Sequence, residues 1–203
     1  MSTLKPIRKA LISVYHKDRL EPIVRRLHSE GVELLSTGGS RQFIESLGIP
    51  CTPVESLTGY PSILGGRVKT LHPKIFGGIL GRPALESDAA DMAEHAIGAI
   101  DLVVVDLYPF EDTVASGASK ADIIEKIDIG GISLIRAAAK NHAEVAIIPS
   151  RAEYGVLEGI LSANGAATTE EERQFLAFRA FAVSSAYDSA ICNWFGTFAA
   201  PGP

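Results

Sequence analysis

The stretch Glu33-Leu34-Leu35-Ser36-Thr37-Gly38-Gly39-Ser40 decides the expected fold, because an apolar run leads into a glycine turn and then into a helical pattern. We predict a strand over 32–35 and a helix over 40–47. The three hydroxyl side chains can donate hydrogen bonds, and the two glycines let the backbone approach a bound anion closely. A phosphate-binding turn and a structural corner with Ser40 as helix N-cap fit this pattern equally well.

A second glycine-led segment favours the phosphate interpretation. Gly65-Gly66-Arg67-Val68-Lys69-Thr70-Leu71-His72-Pro73 places two cations and a hydroxyl within four residues. Two such loops in one domain are typical of a site for a nucleotide monophosphate.

Apolar runs alternate with helical patterns along the chain, which predicts an α/β fold with parallel strands joined by crossover helices. The run at 100–107 is nearly unbroken and β-branched, so we expect a strand near the sheet centre with both faces covered. Strands are predicted over 9–14, 32–35, 100–107 and 145–148, and helices over 19–29, 40–47, 120–127, 133–141 and 152–162.

The segment 169–195 is predicted to be one long helix. Thr169 with Glu172 three residues later has the spacing of a capping box. We expect the apolar residues of this helix to pack on the sheet domain or on a second subunit. That apolar stripe consists of Phe175, Phe178, Phe181, Ala182 and Ala186.

Composition limits the function classes. The 203 residues are 46% hydrophobic and carry a net charge of −5, so we expect a folded globule that binds neither nucleic acid nor an anionic membrane. No window has the length of a membrane span. We find no internal repeat and no dividing linker, and we assign 1–195 to one domain and 196–203 to a flexible tail.

Cysteine and histidine usage argues against disulfides and metals. Cys51 and Cys192 lie far apart without a CxxC pattern, which favours a reduced, cytoplasmic protein. The five histidines are scattered without metal-ligand spacing, so no metal site is expected. No serine lies in a nucleophile elbow, and covalent catalysis therefore lacks support.

Three further side chains suit a ligand site, and each has a structural alternative. Tyr108 directly follows the expected central strand, where open α/β sheets bind ligands, but it fits a strand-end plug equally well. Asp128 precedes two glycines and a helix, where a local cap is the weightier interpretation. Lys140 ends an alanine-rich helix, a place that the helix dipole favours for lysine without any catalytic role.

Five motifs together closely resemble the inosine monophosphate (IMP) cyclohydrolase domain, the N-terminal part of a bifunctional purine-biosynthesis protein whose C-terminal part is the AICAR formyltransferase. The resemblance runs from about residue 9 to 195. The motifs are Ser36-Thr37-Gly38-Gly39-Ser40, Leu57-Thr58-Gly59-Tyr60-Pro61, the segment 65–73, Asp106-Leu107-Tyr108-Pro109-Phe110 and Ile127-Asp128-Ile129-Gly130-Gly131 with its continuation to His142.

This resemblance implies a methylglyoxal-synthase-like α/β fold, with a central, mostly parallel sheet flanked by helices and a long C-terminal helix. It also implies a homodimer that closes 5-formamidoimidazole-4-carboxamide ribotide (FAICAR) to IMP with loss of water, without a metal or organic cofactor. Lys140 would be the proton donor and acceptor, with Lys69, Tyr108 and Asp128 completing the catalytic set. The substrate-binding residues implied are Lys17, Thr37, Gly38, Gly39, Ser40, Arg67, Val68, Thr70, Val105, Asp106, Ile129 and Gly130.

Three departures from the family pattern limit this transfer. Tyr15 and His16 stand where the family more often has Ser and Asp, and Asp106 stands where Asn is common. The formyltransferase part is absent, so formyl transfer to AICAR is expected from a separate polypeptide or from a missing part of this one. We expect no folate binding.

Two other functions fit the same fold. Methylglyoxal synthase shares a Thr-Gly-rich phosphate loop, but it has no role for the motifs at 67–72 and 128–142. A regulatory nucleotide-binding domain would keep the turn at 37–40 but does not need Lys69, Tyr108 and Lys140 together. The presence of all three favours the cyclohydrolase.

Overall fold

The fold is built on a five-stranded parallel sheet. The computed structural model describes residues 3–198. Within them the sheet order is β4-β3-β2-β5-β6, and a separate antiparallel pair joins β1 to β7. The strands are β1 Lys5–Pro6, β2 Lys9–Val14, β3 Glu33–Ser36, β4 Thr52–Pro53, β5 Leu102–Asp106, β6 Ala146–Ile148 and β7 Ala167–Thr168.

The burial of β5 explains its apolar sequence. Successive side chains of a strand point to opposite faces, yet four consecutive residues of β5 from Leu102 onward are buried. Both faces of the sheet are therefore covered at this point, as predicted from the unbroken run. The parallel register pairs Val14 of β2 with Asp106 of β5, so the ends of these two central strands lie side by side.

Ten helices connect and cover the strands in the described part of the chain. The four predicted strands and the predicted helices are confirmed, with ends that differ by a few residues. The helices are α1 Leu20–Ser29, α2 Gly38–Ser46, α3 Val54–Thr58, α4 Pro73–Leu80, α5 Glu86–Glu94, α6 Phe110–Ala115, α7 Lys120–Glu125, α8 Gly130–Lys140, α9 Tyr154–Asn164 and α10 Glu170–Gly196.

Helix α10 begins as predicted. The Thr169 hydroxyl accepts a hydrogen bond from the Glu172 backbone at 3.1 Å, and the Glu172 carboxylate accepts one from the Thr169 backbone at 2.8 Å. This is a complete capping box. The proposed tail at 196–203 overlaps the last residue of the helix, and its residues 199–203 lie outside the described part.

The predicted packing of the α10 apolar stripe on the sheet domain is wrong. Phe175, Phe178 and Phe181 are 49%, 65% and 43% exposed, and Ala182 and Ala186 are also exposed. The helix packs on α8 and β6 through a neighbouring face that includes Leu176, Ala177, Ala180, Ser184 and Tyr187. Small residues on that face allow close helix packing, which leaves the bulky rings outside.

A small second core joins α10 to the loops after β5. Phe110, Ile123, Tyr187 and Trp194 are its buried members. The Phe110 ring lies edge-on to Tyr187 at 6.2 Å and to Trp194 at 5.9 Å between centroids. This cluster fixes the end of α10 beside the segment that leads into α8.

Candidate functional site

A cavity of about 630 Å³ opens where the carboxyl ends of β2, β3 and β5 meet. Its volume falls in the range of roughly 300–1,000 Å³ that is usual for small-molecule sites. Five segments supply its wall: 13–17, 37–40, 65–70, 106–108 and 124–131. All the motifs that carry the family resemblance, except the segment around Lys140 and the motif at 57–61, therefore contribute to one site.

One side of the cavity is formed by the start of α2. The helix begins at Gly38, with Thr37 as its N-cap residue, so Ser40 is the third helical residue and the expected N-cap at Ser40 is wrong. Gly38 has a φ of +48°, a conformation that side-chain-bearing residues rarely adopt. The free N–H groups of this first turn and the helix dipole both favour an anion.

Two of the three hydroxyls in this turn are already engaged. The Ser36 hydroxyl donates to the Ile12 carbonyl at 2.6 Å. The Ser40 hydroxyl donates to the Val14 carbonyl at 2.9 Å and accepts from the Val14 N–H at 3.0 Å. Ser36 and Ser40 thus join β3 and α2 to β2, while Thr37 remains in the cavity wall.

Two ammonium groups face the α2 turn. A Cβ atom at Gly38 would lie 3.3 Å from Lys69 Nζ, and one at Gly39 would lie 3.8 Å from Lys17 Nζ. Lys17 Nζ also donates to the carbonyls of Val14 and Tyr15 at 2.7 and 2.6 Å. Burial, together with the charge of Lys69, lowers the pKa of Lys17, although Asp106 opposes the shift. We call this region, residues 17, 37–40 and 69, the cationic end.

Arg67 does not contact the cationic end. Its guanidinium donates to Glu125 at 2.6 Å and to the Leu64 carbonyl at 3.2 Å, and both ionic side chains are largely exposed. Arg67 and Glu125 both line the cavity, so their pair bridges two segments of its wall. Thr70 is buried in the same wall, 3.0 Å from the position of a Cβ at Gly130.

A second group of residues in the cavity wall, Tyr15, Asp106, Tyr108 and Asp128, forms what we call the aromatic end. The Tyr15 and Tyr108 rings meet edge-to-face with centroids 5.5 Å apart. Burial raises the pKa of Tyr108, with a further contribution from the charge of Asp128. The phenol therefore stays protonated near neutral pH and can donate a hydrogen bond.

Asp128 is held at both its backbone and its side chain. Its carboxylate accepts from the Gly131 N–H at 2.6 Å, and its own N–H donates to the Tyr187 hydroxyl at 2.7 Å. A Cβ at Gly131 would lie 2.7 Å from the carboxylate, so glycine is required there. Burial raises the pKa of Asp128 despite the N–H groups of Gly131 and Tyr108 and the charge of Lys69. Asp128 is thus both a local cap and a wall of the cavity.

Two of the departures from the family pattern contact each other. The Asp106 carboxylate accepts from the His16 backbone N–H at 2.9 Å and lies 2.7 Å from His16 Nδ1. The Asp106 carbonyl accepts from the Tyr15 N–H at 3.1 Å. We call the pair of Asp106 and His16 the latch, because it fastens the loop after β2 to the end of β5.

Several predicted site residues lie elsewhere. Lys140 is exposed at the far end of α8, about 15 Å along the helix from Gly130 at a rise of 1.5 Å per residue, and it is not part of the wall. Val105 is buried in the core, and Val68 does not line the cavity. Ile129 and Gly130 do line it.

The sequence analysis missed Glu125, Lys126 and Tyr187. Lys126 Nζ lies 5.2 Å from the Tyr15 ring centroid and 5.6 Å from that of Tyr108. Tyr187 lies 59 residues from Asp128, and no local pattern connects them. Among residues 3–198, no group of three or more His, Cys, Asp or Glu side chains could hold a metal ion. No helix in that range is long and apolar enough to cross a membrane.

Comparison with protein families gives two matches. Residues 19–133 match the family of MGS-like domains, and residues 138–201 match the AICARFT/IMPCHase bienzyme family. The first match covers more than half of the chain.

Curated proteins and a solved structure are similar over nearly the whole chain. The bifunctional purine biosynthesis proteins PurH of Bacteroides thetaiotaomicron and Rhodospirillum rubrum are 66% and 53% identical to it over 195 and 190 residues, covering 96% and 94% of this chain. The chain spans only 38% and 36% of their lengths. A crystal structure of ForH is 34% identical with a TM-score of 0.77, covering 92% of this chain and 98% of that one.

Proposed function

The chain belongs to the family of MGS-like domains, and we propose that it is an IMP cyclohydrolase, which closes FAICAR to IMP with loss of water. The methylglyoxal-synthase-like fold expected from the sequence is confirmed. The observation that carries the proposal is that one cavity is lined both by the cations Lys17 and Lys69 and by Tyr108 and Asp128. The high identity to PurH proteins supports it.

The cationic end suits the phosphate of a ribotide. Lys17 and Lys69 face the first turn of α2, where Gly38 and Gly39 expose backbone N–H groups. A phosphate monoester carries a charge of about −1.5 to −2 near neutral pH and accepts several hydrogen bonds. Two cations and a helix N-terminus meet both requirements without a metal.

The aromatic end suits the ring closure itself. The carboxamide nitrogen attacks the formyl carbon and loses one proton, and the formamido nitrogen loses the second as the new C=N bond forms. The formyl oxygen takes up both protons and leaves as water. Asp128, whose pKa is raised by burial, is placed to accept a proton from the carboxamide. Tyr108 and Lys69 are placed to donate hydrogen bonds to the oxygen as its negative charge grows.

Two alternative functions would use fewer of the residues in this site. A methylglyoxal synthase has no use for Tyr108 and the Asp128 segment at the aromatic end. A regulatory nucleotide-binding domain needs the cationic end but no acid–base pair in the same cavity. Tyr108 and Asp128 line the same cavity as Lys69, which favours the cyclohydrolase over both.

Lys140 requires a second copy of the chain if it acts in ring closure. It lies at the opposite end of α8 from the cavity, beyond the reach of one lysine side chain. We propose a homodimer in which the exposed stripe of Phe175, Phe178 and Phe181 is buried between copies. Lys140 of one copy would then approach the cavity of the other.

We also propose that formyl transfer to AICAR is carried out by a segment or protein outside this chain. The chain covers little more than a third of each bifunctional relative. A cytoplasmic location is part of the same proposal, because Cys51 and Cys192 are both free thiols.

The proposed activity is tested by giving FAICAR to the purified chain in metal-free buffer and following IMP formation by absorbance. We expect turnover by the wild type and a loss of at least about 100-fold in Lys140→Ala, with IMP affinity changed much less. Tight IMP binding without wild-type turnover would instead support a regulatory domain. Equal losses of turnover and affinity in the variant would remove Lys140 from the chemistry.

Mixing two inactive variants tests whether Lys140 acts across the dimer. In a heterodimer of Lys140→Ala and Asp128→Asn, one of the two cavities has both residues intact. Random mixing makes half of the dimers heterodimeric, so about a quarter of the wild-type activity should return. No recovery in a mixture that sedimentation shows to have exchanged subunits would contradict the assignment.

A further inference from the structure

Tyr15 is a large ring left open in the cavity wall. It is 39% exposed although it lies in a concave site, and neither the proposed phosphate binding nor the proposed proton transfers use it. Its ring meets Tyr108 edge-to-face at 5.5 Å, and Lys126 Nζ lies 5.2 Å from its centroid. Both tyrosine rings line the cavity and are partly exposed in it.

The backbone of Tyr15 is fixed on both sides. Its N–H donates to the Asp106 carbonyl at 3.1 Å, and its carbonyl accepts from Lys17 Nζ at 2.6 Å. The next residue, His16, is held by the latch, and its ring lies edge-on to Tyr15 at 4.8 Å. The Tyr15 ring is therefore ordered before a ligand arrives, which lowers the entropy cost of any contact that it makes.

We propose that Tyr15 is a specificity residue that contacts the heteroaromatic base of the nucleotide and, together with Tyr108, selects a flat ring at the aromatic end. The inference rests on the proposed function, which places a ribotide in this cavity. Planar bases stack on aromatic side chains with little dependence on their hydrogen-bonding edges, so Tyr15 favours a ring over a bare sugar phosphate. The phosphate contacts at the cationic end do not include this ring.

The test compares two ligands that share a phosphate but differ in the base. Calorimetry gives the Kd values of IMP and ribose 5-phosphate for the wild type, Tyr15→Ser and Tyr15→Phe. We expect Tyr15→Ser to weaken IMP binding about 10-fold and ribose 5-phosphate binding less than about two-fold. Tyr15→Phe keeps the ring and should stay within about two-fold of the wild type for both ligands.

Tyr60→Ser is the matched control, because Tyr60 is exposed and lies outside the cavity wall. It should leave both Kd values unchanged. Unchanged IMP affinity in Tyr15→Ser, or equal losses for both ligands, would overturn the proposal, the second outcome showing that the loop acts through Lys17. Circular dichroism confirms that each variant is folded.

The same measurements separate this inference from the proposed function. Suppose that the wild type binds IMP without turning over FAICAR, and that Tyr15→Ser weakens the binding of IMP but not that of ribose 5-phosphate. The role of Tyr15 then stands while the catalytic function fails. If the wild type binds ribose 5-phosphate and IMP equally well, the cavity does not recognise a base, and the role of Tyr15 is refuted whatever the turnover.

Discussion

The two ends of the cavity are built in different ways. The cationic end consists of a helix start and glycine turns, with Lys17 and Lys69 beside them. The aromatic end consists of side chains that are held by distant elements, such as Asp128 by Tyr187 of α10 and Tyr15 by the latch. Binding of an anion therefore depends mainly on local backbone geometry, whereas the proposed chemistry depends on tertiary packing.

Replacing Asp128 by Asn should separate the two ends most clearly. The amide keeps an oxygen that can accept from the Gly131 N–H but cannot take up the carboxamide proton. We expect kcat for FAICAR to fall by about 100-fold or more, the usual contribution of general acid–base catalysis. The Kd of IMP, measured by calorimetry, should change less than about three-fold.

Because Asp128 titrates, replacing it by Asn should also change how the free energy of unfolding and kcat depend on pH. Burial raises the pKa of this carboxyl above its ordinary value of 3.8. The folded protein therefore holds the proton more tightly than the unfolded chain, and the carboxyl contributes stability at low pH that is lost as the pH rises through its folded pKa.

Asp128→Asn removes this titration. Urea unfolding at a series of acidic pH values should show the wild type losing stability relative to the variant as the pH rises. The kcat of the wild type should fall as the pH drops through the same raised pKa, because a protonated Asp128 is no longer a base. A pH-independent difference in the free energy of unfolding would show that Asp128 does not titrate with a raised pKa.

The sequence revealed the cationic end because its parts are contiguous. The segments 33–40 and 65–70 carry their glycines, cations and hydroxyls within a few residues, and Lys17 lies three residues after the end of β2. Backbone requirements of this kind are visible in local composition. The predicted helix start was wrong, and Arg67 pairs with Glu125 instead of joining the cationic end. The bonds of Ser36 and Ser40 to β2 could not be predicted, because they depend on strand pairing.

The aromatic end could be predicted only in part. The motifs identified Tyr108 and Asp128 by resemblance, but no local pattern connects Asp128 to Tyr187 or His16 to Asp106. The latch arises from the register that pairs Val14 with Asp106. Of the two partners expected for the α10 stripe, the sheet domain was wrong, because the helix packs on it through smaller residues. Packing on a second subunit stays a prediction.

Replacing Gly38 by Ala should weaken the cationic end through its contact with Lys69. The added Cβ would lie 3.3 Å from Lys69 Nζ at a residue whose φ is +48°. We expect the affinities for IMP and ribose 5-phosphate to fall together, by about 10-fold, because a helix N-terminus and a displaced cation serve the phosphate of both ligands. The kcat at saturating FAICAR should fall as well, but less than in Asp128→Asn, because Lys69 is also proposed to donate to the formyl oxygen.

Gly31→Ala is the matched control for backbone strain. Gly31 has a φ of +79°, and no atom lies within 4 Å of its would-be Cβ. Both variants should lose a similar, modest amount of stability in thermal unfolding, of about 1 kcal/mol. If Gly31→Ala also weakens phosphate binding, the loss in Gly38→Ala reflects general strain and not the contact with Lys69.

Replacing Glu125 by Gln should have the smallest effect. It tests whether Arg67 belongs to the cationic end. The Glu125 carboxylate accepts a hydrogen bond from the Arg67 guanidinium at 2.6 Å, and both residues line the cavity. The neutral amide removes a negative charge from the wall and frees Arg67 to turn toward a bound phosphate. The Kd values of IMP and ribose 5-phosphate should fall by about two- to three-fold, and added salt should erase the gain because the pair is exposed.

The sign of this change decides where Arg67 belongs. Tighter binding in Glu125→Gln assigns Arg67 to the cationic end, where the ligand phosphate replaces Glu125 as its partner. Weaker binding means that Glu125 holds the segment 64–67 in the position that ligands require, so the role of the ion pair is structural. Arg67→Gln should weaken both ligands in either case, so the double variant decides: tightening by Glu125→Gln that depends on Arg67 should disappear once Arg67 is replaced.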